Sequence, residues 1–234
     1  MIIRVVFNLR SCGESVALIV KGTGVCSLNP NQDAAYAATL FRRATTLQLE
    51  AQSLIQTLGL PTMLEAIGPV ELVGSVASGL MVWRDIDFCV ECPGLTPERA
   101  WTALHPFLLD PRLTRLDYHN ETGEWLPEGD PADQRLYFVL RYTTGSGAEW
   151  KIDISLWTVA SPSAPGELLA ELDQTLTSEM RLAILWIKDI WHQLPVYPYA
   201  VSGFEVYDAV LHYGVRTPEA FDHYLHQCGL PGRD

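Results

Sequence analysis

Three aspartates stand where strand alternation gives them a common kind of face. In Asp85-Ile86-Asp87-Phe88-Cys89-Val90, side-chain parity sends Ile86, Phe88 and Val90 one way and Asp85, Asp87 and Cys89 the other. The string from Trp150 to Leu156 repeats the pattern, with Trp150, Ile152, Ile154 and Leu156 on the apolar side and Lys151, Asp153 and Ser155 opposite. Aspartate is depleted in strands, so two otherwise apolar strands that spend positions on it call for a reason. If the strands are neighbours, three carboxylates converge. Such a cluster stays ionised only beside compensating charge, and a pair of divalent cations is the usual solution.

Upstream, Gly74-Ser75 follows the apolar run Val70 to Val73. Glycine lets backbone and hydroxyl approach a phosphate closely, because there is no side chain in the way. Val73-Gly74-Ser75, nine residues, Asp85-Ile86-Asp87-Phe88 and a later Ile152-Asp153-Ile154 together form a longer pattern. It resembles the motif set of the DNA-polymerase-β-like nucleotidyltransferase superfamily, in its minimal or antibiotic-modifying branch. The motifs cover Leu72 to Val90 and Lys151 to Ile154, and the order of elements extends the likeness over about Pro69 to Leu156. The resemblance implies that Asp85, Asp87 and Asp153 hold two Mg2+ ions, Asp153 also helping to deprotonate the attacking hydroxyl. It implies that Gly74 and Ser75 hold the terminal phosphates of a nucleoside triphosphate, taken as ATP. The reaction implied is in-line attack of an acceptor hydroxyl on the α-phosphate with release of pyrophosphate.

The elements that must position these residues are legible in outline. An apolar stripe through Leu40, Phe41, Ala44, Leu47, Ala51, Leu54, Ile55 and Leu58 predicts a helix from Asp33, stopped by Gly59 and Pro61. Val70 to Val73 and Asp85 to Val90 read as strands, with a helical turn at Ser78 to Met81 between them. Thr96-Pro97-Glu98 starts a helix running to about Leu108. A strand at Arg115 to His119 precedes Asn120 to Gln134, an acidic stretch with two prolines and two glycines that reads as a solvated loop. Arg135 to Tyr142 and Glu149 to Trp157 read as a hairpin closed by a glycine-containing loop. Ala160 to Gly166 reads as a linker, and the helices Glu167 to Gln174, Ser178 to His192, one capped by Ser202 with Glu205, and one begun by Thr217-Pro218 follow it.

The fold class expected is therefore α/β (α+β): a mixed-sheet nucleotidyltransferase domain over residues 33–159 and a helical C-terminal subdomain over 160–234, preceded by an extension of uncertain structure, residues 1–32.

The 234 residues carry 28 acidic and 16 basic side chains, a formal charge of −12, with 48% hydrophobic residues. That composition excludes wholesale disorder. With only Lys21, Lys151 and Lys188 as lysines, the charge argues against a broad nucleic-acid-binding surface and leaves room only for a local basic site. The acceptor expected is thus a small, cationic molecule such as an aminoglycoside. Two alternatives stand beside it: a toxin-type nucleotidyltransferase modifying transfer RNA or protein, and a non-catalytic nucleotide-binding or partner-binding protein of the same fold. Keeping three mutually repelling acids argues against the last. Arg4, Arg10 and Glu14 interrupt the apolar N-terminus, so neither a signal peptide nor a membrane span is expected, and the compartment expected is the cytoplasm. Oligomeric state is not legible.

Other residues have plainer readings. Lys151 either neutralises the cluster and touches phosphate or is a surface lysine on an edge strand. Arg84 has the wrong parity for catalysis and reads as rim or solvent-facing. Arg181 and Lys188, seven apart on one helix, stand where the resemblance puts phosphate-contacting bases, although such a pair is more often solvated. Cys89-x-x-Cys92 lacks a second ligand pair and reads as a strand end; five cysteines, an odd number, read as reduced thiols. His223 and His226 read as an exposed helix end, and the aromatics from Trp186 to Tyr224 mostly as core.

Overall fold

The strand alternation is realised in a computed structural model, which describes residues 33–126, 133–159 and 175–233. Five strands form one mixed sheet: β1 (Val70–Val73), β2 (Asp85–Glu91), β3 (Leu113–Glu121), β4 (Arg135–Thr143) and β5 (Glu149–Trp157), in the order β1-β2-β5-β4-β3. β2 and β5 are parallel, and the other pairings are antiparallel. β4 and β5 are the expected hairpin, closed through Thr144, whose NH bonds to the Ala148 carbonyl at 2.9 Å.

Period-two alternation makes one face of this sheet apolar. Ile86, Phe88, Val90, Leu136, Phe138, Leu140, Ile152, Ile154 and Leu156 are all essentially inaccessible. Helices α1 (Ala34–Leu58), α2 (Leu60–Glu65) and α4 (Pro97–Leu108) share the core with them. Trp101 and Phe107 of α4 meet Phe138 and Tyr142 at ring distances of 5.4 and 5.9 Å. The α4 N-cap is Thr96, accepting from the Arg99 NH as its sequence suggests. Burying this many large aliphatic and aromatic side chains contributes about 1.5–3 kcal/mol apiece before chain entropy is counted.

Several boundaries differ from the sequence reading. Phe41 lies outside the buried stripe of α1 and is 36% exposed. α1 does stop at Leu58, where Gly59 takes a left-handed conformation, but a further short helix follows, with Pro61 in the first turn of α2, where its missing NH costs nothing. β1 runs straight into α3 (Gly74–Ser78), so the helical turn comes four residues early and ends at the left-handed Gly79. β3 absorbs Asn120 and Glu121 from the expected loop, and Gly123–Trp125 form a 3-10 turn. The cause is a cross-strand ion pair, Arg135 Nε to Glu121 Oε2 at 2.6 Å, which rewards two further residues of pairing. The readings for residues 1–32, for the middle of the acidic loop at 127–132, for the linker at 160–166 and for the helix Glu167 to Gln174 lie outside the described residues.

Two units are distinguished: Arg43–Thr177, which contains the sheet, and a second joining residues through Arg42 to Ser178–Asp234. In the second, α5 (Ser178–Trp191), α6 (Gly203–His212) and α7 (Pro218–Gln227) bury Ile184, Trp186, Trp191, Val206, Val210, Phe221 and Leu225. Trp191 meets Phe221 edge-on at 5.2 Å. Ser202 and Glu205 form the capping box their spacing suggests, and Thr217 caps α7. Tyr36 at the start of α1 donates to Asp189 of α5 at 2.8 Å. The aromatic series is mostly core as expected; Phe204 is half-buried, and Tyr199 and Tyr213 are exposed. No described helix is long and apolar enough to cross a membrane.

Candidate active site

The opposite face of the same sheet carries the acids. β2 and β5 are neighbours and in register, Asp85 opposite Lys151 and Asp87 opposite Asp153. The convergence that parity alone left conditional is therefore met, and one carboxylate oxygen from each of Asp85, Asp87 and Asp153 lies within 4.8 Å of the others. Asp85 and Asp153 are buried and Asp87 is half-buried. Taking carboxylates this far out of water costs several kcal/mol per ion unless charge or hydrogen bonds compensate.

Neighbouring side chains supply part of that compensation. Lys151 Nζ stands 2.6 Å from Asp153 Oδ2 and 3.3 Å from Asp85 Oδ1. The edge-strand reading of Lys151 is thereby corrected: β5 lies in the middle of the sheet, between β2 and β4. Burial alone would pull its ammonium toward neutrality, but the charges of Asp85, Asp153 and Asp87 outweigh this and hold the pKa above the ordinary lysine value. Tyr137 of β4 donates its hydroxyl to the same Asp153 Oδ2 at 2.5 Å. Its phenol is pushed up by burial and by the Asp153 charge, so it remains a donor throughout the neutral range. Arg135, two residues earlier on the same strand, lies over the Tyr137 ring at 4.3 Å and donates to Ser155 at 3.0 Å.

Asp153 Oδ1, by contrast, is buried without a hydrogen-bond partner. An unsatisfied charged acceptor in that position is costly, and a cation is what the donor set of three carboxylates suits: hard oxygen ligands favour Mg2+ or another hard divalent ion. The backbone supplies the room. Gly74 has φ 66°, and a Cβ there would collide with Asp87 Oδ2. Any other residue would be strained and would press on the carboxylate. Ser75, beside it, is buried in the first turn of α3, and Gln48 of α1 steadies that turn through the Val76 carbonyl at 2.9 Å. The residues present thus fit a divalent cation.

The remaining sequence candidates fall elsewhere. Arg84 pairs with Glu50 at 3.2 Å on the surface, in keeping with its parity. Arg181 and Lys188 are both on α5, in the other unit. Lys188 is not the solvated lysine that an amphipathic helix suggests: it is 1% exposed and donates to the Tyr207 hydroxyl at 3.1 Å. Cys89 shares the acidic face and, like Cys92, has its thiol pushed up to about 11 by burial. His223 and His226 are exposed, and among the described residues the aspartate triad is the one group of this kind that could hold a metal. Tyr137 and Arg135 escaped the sequence reading. The signal for them is parity within β4, where Arg135 and Tyr137 oppose the apolar Leu136, Phe138 and Leu140.

No family model matches the sequence, and no curated protein matches it. Among solved structures, the chain is similar to a cytoplasmic RNA terminal U-transferase, with 19% identity and a TM-score of 0.51 over 76% of this chain and 53% of that one. It also matches Cid1, described for its RNA terminal uridylyl transferase activity, with 16% identity and a TM-score of 0.47 over 77% and 53%. The chain spans about half the length of each.

Proposed function

We propose that this chain, which has the fold of the DNA-polymerase-β-like nucleotidyltransferases, transfers a nucleoside monophosphate from a nucleoside triphosphate to an acceptor hydroxyl. One observation carries the reading: Asp85, Asp87 and Asp153 converge on one sheet face, with a buried oxygen of Asp153 left for a cation. The three aspartates would hold divalent ions, two Mg2+ in the expected form. When bound, these supply charge neutralisation for the leaving pyrophosphate and a lowered pKa for the attacking hydroxyl. The chain's own part is positional. Gly74 keeps the space beside Asp87 clear for a phosphate, and Ser75 stands next to it to donate. Tyr137 clamps Asp153 through Oδ2, which leaves Oδ1 to meet the cation or to take the acceptor's proton.

The acceptor we favour is the terminal hydroxyl of an RNA, the substrate named for the structure that shares the fold. This reverses the preference drawn from composition. The net charge of −12 limits the breadth of any RNA contact rather than its existence, since placing one terminal nucleotide needs few phosphate contacts. A small cationic acceptor remains the second reading, favoured by that same charge. To test both, the protein is incubated with Mg2+ and each labelled triphosphate, ATP and UTP included, beside RNA, an aminoglycoside panel and protein. Label on RNA with stoichiometric pyrophosphate is expected. Label confined to an aminoglycoside would install the second reading, and absence of both label and pyrophosphate with every acceptor would overturn the proposal.

A further inference from the structure

We infer that Lys151 is a resident cation of the carboxylate cluster, filling the place between Asp85 and Asp153, so that the chain takes up divalent ions unequally: one readily, and a second only when Lys151 is displaced or a polyphosphate adds negative charge. The inference rests on the reading of the triad as a cation site and goes beyond it in assigning the order of filling. Lys151 and Asp153 are two residues apart on one strand, hence on one face, and β5 is held on both sides by β2 and β4. The ammonium is therefore not a passing surface group. It bridges two specific carboxylates at 3.3 and 2.6 Å, with its side chain only 13% exposed.

Charge then sets the stoichiometry. Three carboxylates against one ammonium leave two negative charges, which a single divalent ion neutralises. A second ion arriving alone would make the cluster net positive. It becomes favourable only when the ammonium swings out or when a polyphosphate brings further negative charge. Asp153 shows the division of labour at atomic scale: Oδ2 is taken by Lys151 and Tyr137, while Oδ1 is buried and unpartnered. The first ion has an oxygen waiting for it. A second has to compete with an ammonium already in contact.

The test uses Mn2+ alone as the probe, followed by calorimetry and by the loss of the free-ion paramagnetic signal, on the full chain without nucleotide. Wild type is expected to bind one equivalent tightly and a second at least about tenfold more weakly. Lys151→Met and Lys151→Gln, each checked for an intact thermal transition, should tighten the second equivalent by at least about tenfold. Adding a non-hydrolysable triphosphate to wild type should do the same without any substitution. Two equal equivalents in wild type, or an unchanged isotherm in both folded lysine variants, would overturn the inference while leaving the cation site standing. Wild type and Asp85→Asn giving the same isotherm would overturn the cation site itself and the inference with it.

Discussion

The two faces of the sheet are built from the same strands, one residue out of phase, and they do opposite work. On one, Ile86, Phe88, Ile152, Ile154 and Phe138 are shielded from water and hold the unit together. On the other, Asp85, Asp87 and Asp153 place like charges within 4.8 Å of one another, an arrangement that works against folding and that Lys151 and Tyr137 offset in part. A single-residue register shift would exchange the two. The difference teaches that the apolar face sets the register, and that the register, rather than any attraction among the acids, brings Asp87 opposite Asp153.

Substitutions on the two faces should therefore separate activity from stability. Asp153→Asn is expected to cut turnover by about three orders of magnitude, read by pyrophosphate release, with the thermal midpoint unchanged or raised. Phe138→Ala, on the adjacent strand but the other face, should cost about 3–5 kcal/mol in urea unfolding while the folded fraction keeps its specific activity. Gly74→Ala sits where the faces meet the backbone. Its left-handed φ and the Asp87 contact predict a loss of about 1–2 kcal/mol in stability together with a roughly tenfold or greater loss in turnover. Tyr137→Phe removes one of the two donors to Asp153 Oδ2 and should lower turnover by about tenfold, with the apolar face undisturbed and the urea midpoint little changed.

The smallest effect concerns pH. Cys89 on the acidic face and Cys92 just beyond it both have thiols raised to about 11 from an ordinary value of 9.0. A thiol raised in the folded state ionises first in the unfolded chain, so its contribution to stability is complete below pH 9 and is lost as pH climbs toward 11. Urea midpoints measured at pH 8 and pH 10.5 should fall with pH, and by less in Cys92→Ser than in wild type.

How far these features are legible in the sequence follows from their range along the chain. Parity is local, so the two faces of β2 and β5 can be read from six or seven residues each, and Gly74-Ser75 with Asp85 and Asp87 lie close enough to form one pattern. Caps are local too, which is why Thr96, Ser202 with Glu205 and Thr217 were identifiable. Strand order is not local. Lys151 changes from an edge lysine to a central one only when β2 and β4 are known to flank β5. Tyr137 escaped for the same reason, because an aromatic on a strand reads as core until its neighbour is Asp153. The early start of α3 was missed because Gly74 is a poor helix former, placed there by the crowding of Asp87 rather than by propensity.

The central claim is that the acidic face performs metal-dependent nucleotidyl transfer, and Asp85→Asn tests it most directly. Pyrophosphate release from a triphosphate, with Mg2+ and RNA present, is measured for wild type and the variant beside their thermal transitions. The account predicts that release in the variant falls by about three orders of magnitude or more while the transition is kept. Undiminished release from a folded Asp85→Asn protein would contradict it.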